Sequence, residues 1–170
     1  TVFIVVAAGS GSRFGGDLPK QFCRLGDRPV VCHAVDRLRE AGAEVILVDA
    51  GDYSQGTSYV SVTKGLDAIE MMNAAGYDVV TLGNHEFDYG YTQLKDNMTK
   101  AKFKVLCADV FNADGTPIFD ANYTYTTKSG VKIGFFGMET PEAQTKANPA
   151  LIKGLKFDTD LKAVAEKQLE

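Results

Sequence analysis

The chain holds only two histidines, His33 and His85, among 170 residues. A zinc centre with three histidine ligands therefore cannot be built from this chain alone. Its three cysteines, Cys23, Cys32 and Cys107, are widely spaced and form no C-x-x-C pair. That excludes a zinc knuckle or a dithiol redox motif and leaves small buried thiols as the expectation. No apolar run approaches the roughly 20 residues that span a bilayer, so no membrane partner is expected. Basic charge is scarce: 18 Lys and Arg against 22 Asp and Glu give a net charge of −4. A general nucleic-acid binder carries the opposite sign, so no nucleic-acid partner is expected. Thr1–Ala8 is too short, and lacks the charged start, for a secretory signal. The chain does not begin with Met, from which a processed or engineered start is expected. Compartment is unreadable, the expectation being a soluble chain in the cytoplasm of an expression host.

What is present is a globular composition, 45% apolar and 24% charged, in a length that suits one domain, 1–170. Val2–Ala7 is a β-branched and aromatic run suited to a strand buried on both faces. Gly9–Asp27 is a long loop. Pro29 can open a helix, along which Val30, Val31, Ala34, Val35 and Leu38 recur at helical spacing up to Gly42. Val45–Val48, Asp78–Leu82 and Lys104–Ala108 read as strands, Tyr91–Ala101 and Phe157–Leu169 as helices, and Val60–Ala75 contains a helix with Leu66, Ile69 and Met72 facing inward. Tyr123–Thr127 and Val131–Phe136, joined by Lys128-Ser129-Gly130, read as a hairpin. The alternation implies an α/β fold, a mostly parallel sheet flanked by helices and Rossmann-like, with the hairpin making the sheet mixed. Ligands of such sheets bind beyond the carboxyl ends of the strands. The Gly9 loop, Asp52, Asn84 and His85 would then share one edge.

The segment Ala8-Gly9-Ser10-Gly11-Ser12-Arg13 follows the first strand, with Pro19-Lys20-Gln21 downstream. Glycines free the backbone N–H groups to form an anion nest. Arg13 adds a guanidinium fork and Lys20 a point charge. Gly9, Ser10, Gly11, Ser12, Arg13 and Lys20 are thus candidate phosphate- or nucleotide-binding residues, against the alternative of a plain strand-to-helix loop. Further on, Asp49-Ala50-Gly51-Asp52 and Gly83-Asn84-His85-Glu86 each end a strand with oxygen or nitrogen donors. Such donors suit hard or borderline divalent cations. The competing reading of a lone Asp or Asn there is a helix cap or turn. His33, inside an amphipathic helix, is expected to be a satisfied, partly buried imidazole.

On the glycine loop, Pro19-Lys20-Gln21 and the Gly26–His33 stretch, residues 1–42 resemble the start of the 2-C-methyl-D-erythritol 4-phosphate cytidylyltransferase family. That resemblance implies a triphosphate held by the loop, with Arg13 and Lys20 stabilising charge at the attacked phosphate. On Leu47–Gly56, Lys64–Gly76, Asp78–Gly90 and Gly130–Thr140, residues 44–170 resemble the calcineurin-like metallophosphoesterases of the 5′-nucleotidase branch. This second resemblance implies a metallophosphoesterase-like half-fold, Asp52 and Asn84 as metal ligands, His85 as a vestigial catalytic group, and Asp88 and Glu86 in support. The Asp-x-His that opens that family is replaced by Ala7-Ala8-Gly9, and its later histidine ligands have no counterpart.

Two ligands make an incomplete metal site, so no cofactor is required and a divalent ion (Mn, Zn or Mg) is expected to bind weakly. The expected identity is a man-made chimera joined near Ala41–Glu44 without efficient catalysis, binding phosphate or nucleotide weakly at the glycine loop. The alternative is a residual metal-dependent phosphohydrolase of 5′-nucleotidase type rather than a cytidylyltransferase. An unpaired sheet edge would permit a homodimer.

Overall fold

A computed structural model describes residues 1–8 and 18–169. Four parallel strands form its centre: β1 (Val2–Val6), β4 (Glu44–Asp49), β5 (Val79–Thr81) and β6 (Lys104–Leu106), side by side in that order. The register runs Val2↔Glu44 to Val6↔Val48, then Val48↔Val79 and Val79↔Lys104. Helices α1 (Val30–Glu40), α3 (Leu66–Ala75) and α4 (Tyr91–Met98) return the chain between strands, as parallel pairing requires. The α/β class expected from the sequence is therefore the fold of this chain.

One core lies between the sheet and α1 and α3: Val31, Val35, Val45, Leu47, Val60, Ala68, Ile69, Met72 and Val80 are buried together. A second, built on Leu82, Phe87, Leu94, Cys107, Val110 and Ile152, lies under the carboxyl edge. Cys107 is buried as expected, whereas Cys23 and Cys32 are half-buried.

Several expectations are corrected. β1 is not buried on both faces; it is the outer strand, and Phe3, Ile4 and Val6 stand exposed. Its apolar run reads like an interior strand because nothing in the pattern says how many neighbours a strand has. Pro29 opens α1 as its N-cap rather than its first residue, and it also ends β3 (Arg28–Pro29), which pairs with β2 (Arg24–Leu25) in a small hairpin before the helix. Along α1 only Val31 and Val35 are buried, while Val30 and Ala34 face outward. The helix expected within Val60–Ala75 is α3, preceded by a separate short helix, α2 (Ser58–Val62), the two parted where Lys64 and Gly65 take left-handed φ of 53° and 87°.

The hairpin β8 (Asn122–Thr126) and β9 (Lys132–Phe136) forms its own two-stranded sheet, so the central sheet is wholly parallel rather than mixed. Glu44, at the start of β4, ties it on by accepting the Tyr125 hydroxyl (3.0 Å) and the Lys128 N–H (2.9 Å). Phe157 belongs to β10 (Lys156–Phe157), paired with β7 (Val110–Phe111), and the last helix is Leu161–Leu169. His33 is satisfied as expected, its Nε2 lying 2.8 Å from the Leu25 carbonyl. Among the described residues no helix is long and apolar enough to cross a membrane.

Candidate functional site

The turn after β4 and the turn after β5 meet at the carboxyl edge of the sheet. Their approach is too close for side chains. A Cβ on Gly51, whose φ is 98°, would stand 2.5 Å from the Gly83 nitrogen, and a Cβ on Gly83 would run into the Asp52 carboxylate. Asp52 itself takes a left-handed φ of 65°, a conformation that costs a non-glycine residue about 1 kcal/mol or more. The reward is orientation: Asp52 Oδ1 accepts the His85 backbone N–H at 3.1 Å. The sequence pair Asp52 and His85 thus becomes a spatial pair.

Glu86 holds this junction shut. Its Oε2 accepts the N–H groups of Asp52 (2.8 Å) and Gly83 (2.6 Å). Its Oε1 accepts the N–H groups of Tyr53 (2.9 Å) and Ser54 (3.0 Å) and the Ser54 hydroxyl (2.7 Å). Burial pushes the Glu86 pKa up while these bonds pull it down. Five donors and no acceptor at the two oxygens call for the carboxylate anion.

His85 is partly open to solvent. Its Nδ1 lies 2.7 Å from Asp88 Oδ2, and its Nε2 makes no hydrogen bond among the described residues. Burial works against its charged form. The Asp88 hydrogen bond and charge, helped by Asp52 and Glu86, outweigh burial and raise its pKa above the ordinary histidine value. A charged imidazole at this position keeps its Nε2–H as a hydrogen-bond donor.

Three buried carboxyls beneath the site were given no role in the sequence reading: Asp49, Asp109 and Glu139. Asp49 Oδ1 accepts the Gly51 N–H (2.9 Å) and Oδ2 is buried without a hydrogen bond among the described residues. Burial pushes its pKa up to about 8, with Glu86 and Asp52 adding to the effect. Glu139 Oε2 is likewise buried and unpartnered, and burial with the neighbouring Asp109 charge pushes it up to about 8. Both Asp109 oxygens accept the Glu139 N–H at 2.9 and 3.0 Å. Asp49 was visible in its motif; Glu139 lies far along the chain and only folding brings it here.

Asp52 keeps Oδ2 free of hydrogen bonds among the described residues, and Asn84 sits buried beside it. One carboxylate and one amide oxygen suit a hard divalent cation but supply only part of its shell. Among the described residues no group of three or more His, Cys, Asp or Glu side chains is placed to hold a metal ion. Lys20 is exposed at a 3-10 turn (Lys20–Phe22), on the rim of a 480 Å³ cavity with Val5, Ala7, Ala8 and Val31. Gly9, Ser10, Gly11, Ser12 and Arg13 lie outside the described residues.

Residues 3–90 match the MobA-like NTP transferase domain. The chain belongs to that family. The MobA-like match runs from β1 through the Asp52 turn to the His85 turn, so it takes in the glycine loop and the carboxyl-edge junction together. The chain is also similar to 5′-nucleotidases. It is 35% identical to the snake venom 5′-nucleotidase of Gloydius brevicauda over 146 residues, 81% of this chain and 24% of that protein. With the human 5′-nucleotidase the identity is 46% over 77 residues, 45% of this chain and 13% of that protein. The chain thus spans about a quarter or less of the length of these relatives. Among solved structures, a putative 5′-nucleotidase from Staphylococcus aureus superposes with a TM-score of 0.79 at 22% identity, over 99% of this chain and 34% of that one. A 5′-nucleotidase precursor from Thermus thermophilus gives 0.75 at 25%, over 96% and 33%. The MobA-like chain therefore shares its fold with metallophosphoesterase-like 5′-nucleotidases.

Proposed function

We propose that the chain carries a partial phosphoester-hydrolase site of 5′-nucleotidase type at the carboxyl edge of its sheet. The observation that carries this reading is the junction itself, with Asp52 Oδ1 on the His85 N–H and the His85 ring on Asp88. A divalent cation, when bound, would be held by Asp52 and Asn84 and would polarise a phosphoryl oxygen. Glu86 fixes where Asp52 points. Asp88 orients the imidazole and favours its charged form. His85 Nε2 then donates to the oxygen that gains charge as the ester breaks.

Turnover by this chain is proposed to be slow, because two donors leave most of a cation's shell to water. The assay is hydrolysis of nitrophenyl phosphate and of AMP with manganese or zinc. Low, metal-dependent turnover that falls at least tenfold in both Asp52→Ala and His85→Ala supports the reading. Turnover indifferent to both substitutions ends it.

A second reading is phosphate or nucleotide binding at the glycine loop, favoured by the MobA-like match and by the Lys20 ammonium at the end of β1. Titration of CTP against isotope-labelled protein, with shifts followed at Ala8 and Lys20, tests it. The two likenesses within one chain also support our reading of a fused, man-made protein.

A further inference from the structure

Away from Asp52 and His85, at the amino ends of β5 and β6, the hairpin strand β8 walls off a cleft of 400 Å³. Its lining is aromatic. Tyr123 and Tyr125 are two apart on β8 and so share a face, with Tyr77 and Phe103 behind them. Lys102 and Lys104 stand exposed at the cleft, and Lys104 Nζ lies 5.5 Å from the Tyr123 ring centre.

The backbone that presents these lysines is fixed. Asn73 Oδ1 accepts the Lys102 N–H (2.7 Å), Asn73 Nδ2 donates to the Lys100 carbonyl (2.8 Å), and the Lys104 N–H donates to the Asp78 carbonyl (2.9 Å). Two acids stand here, Asp78 in the lining and Glu44 against Tyr125, and both are oriented by neutral donors rather than by the lysines. Asp78 Oδ2 accepts the Leu47 N–H (2.8 Å), and Glu44 accepts the Tyr125 hydroxyl and the Lys128 N–H. Among the described residues neither Lys102 nor Lys104 forms an ion pair. The cleft therefore offers ring faces and two ammonium groups that outnumber the one carboxylate lining it, Asp78, whose charge is not neutralised by its backbone partner, in a volume within the usual range of small-molecule sites.

We propose that this cleft is a second binding site, for a planar aromatic ring bearing a phosphate. The ring stacks on Tyr123 and Tyr125, and the phosphate meets Lys102 and Lys104 as point charges. No divalent cation takes part, so the site works independently of the carboxyl edge.

The test is a set of amide correlation spectra of the full chain in EDTA, titrated separately with AMP, adenosine and inorganic phosphate. Saturable shifts are expected with AMP at Lys102, Phe103, Lys104, Tyr123 and Tyr125. Adenosine and phosphate alone should each bind at least tenfold more weakly. The double variant Lys102→Glu/Lys104→Glu changes only exposed side chains. It should keep native dispersion and weaken AMP at least tenfold, while Asp52→Ala, His85→Ala and Lys20→Glu leave the cleft shifts in place. AMP shifts absent from the cleft, or cleft shifts that survive the double charge reversal, overturn the proposal.

Discussion

Glu86 accepts the backbone amide of Asp52 at 2.8 Å across 34 positions of sequence. Through that bond and four more it sets the path of the chain from Asp52 to Ser54 against the turn at Gly83. Glu86→Ala would leave five donors without their acceptor, and a loss of about 3–5 kcal/mol is expected, in the range for breaking a buried charged network. Glu86→Gln keeps the shape but turns an amide NH₂ toward N–H groups, at an expected cost of about 2–3 kcal/mol. Urea unfolding monitored by circular dichroism measures both. Two variants within about 1 kcal/mol of the parent would show that the junction does not depend on this carboxylate.

Steric closeness at the same junction gives a second expectation. Gly83→Ala forces its methyl into the Asp52 carboxylate and should cost about 1–3 kcal/mol and shift the His85 amide resonance. Gly42 instead has a positive φ, 79°, and open space around it, whereas Gly83 has an ordinary φ of −115°. Gly42→Ala should therefore cost only the left-handed penalty of about 1 kcal/mol and leave His85 untouched. Equal losses at both positions would refute the crowding argument.

Buried carboxyls predict a pH dependence. Asp49 and Glu139 are both pushed up to about 8 by burial, whereas in the unfolded chain they titrate near an ordinary value of about 4. Between these limits the folded protein keeps protons that the unfolded chain has released. Stability is then greatest below the lower value and falls as pH rises toward 8, by at most about 1.4 kcal/mol per pH unit for each group. Thermal melts from about pH 5 to pH 8 should show a declining midpoint, and Glu139→Gln should flatten the decline. A midpoint that climbs with pH over that span contradicts the assignment.

The bare side of β1 predicts self-association. Phe3, Ile4 and Val6 are 42%, 47% and 64% exposed on an outer strand, and Val2–Val6 carries no charge to repel a second copy. Light scattering after size exclusion should find a dimer at tens of micromolar that Ile4→Lys converts to monomer. A parent chain that stays monomeric at ten times that concentration removes the homodimer from consideration.

The fold was legible where pattern and packing agree. Val45–Val48 and Asp78–Leu82 are short apolar runs with small or acidic residues after them, and they became β4 and β5 with their chemistry at the expected ends. Legibility failed where a tertiary fact decides. Whether Val2–Val6 has one neighbour or two is set by distant strands, so its exposure was hidden. Lys64 gave no warning of a left-handed residue, since only the packing of Gly65 against Ser54 and Asn97 explains the break. At the carboxyl edge, the meeting of Asp52, Asn84 and His85 was readable from their places just after strands, whereas the roles proposed for them came only with the family resemblance. Glu86 was readable as a helper but not as the clasp, because its five donors come from two separate turns. Glu139 was unreadable, since folding alone brings it beside Asp109.

Asp52 occupies a backbone pose that glycine would hold more cheaply. Replacing it with glycine would relieve that backbone strain but discard both the acceptor of the His85 N–H and the oxygen we propose as a cation ligand. The turn thus sets backbone ease against side-chain anchoring at a single position, and a screen for heat-tolerant versions of this chain, if blind to activity, would report which of the two weighs more.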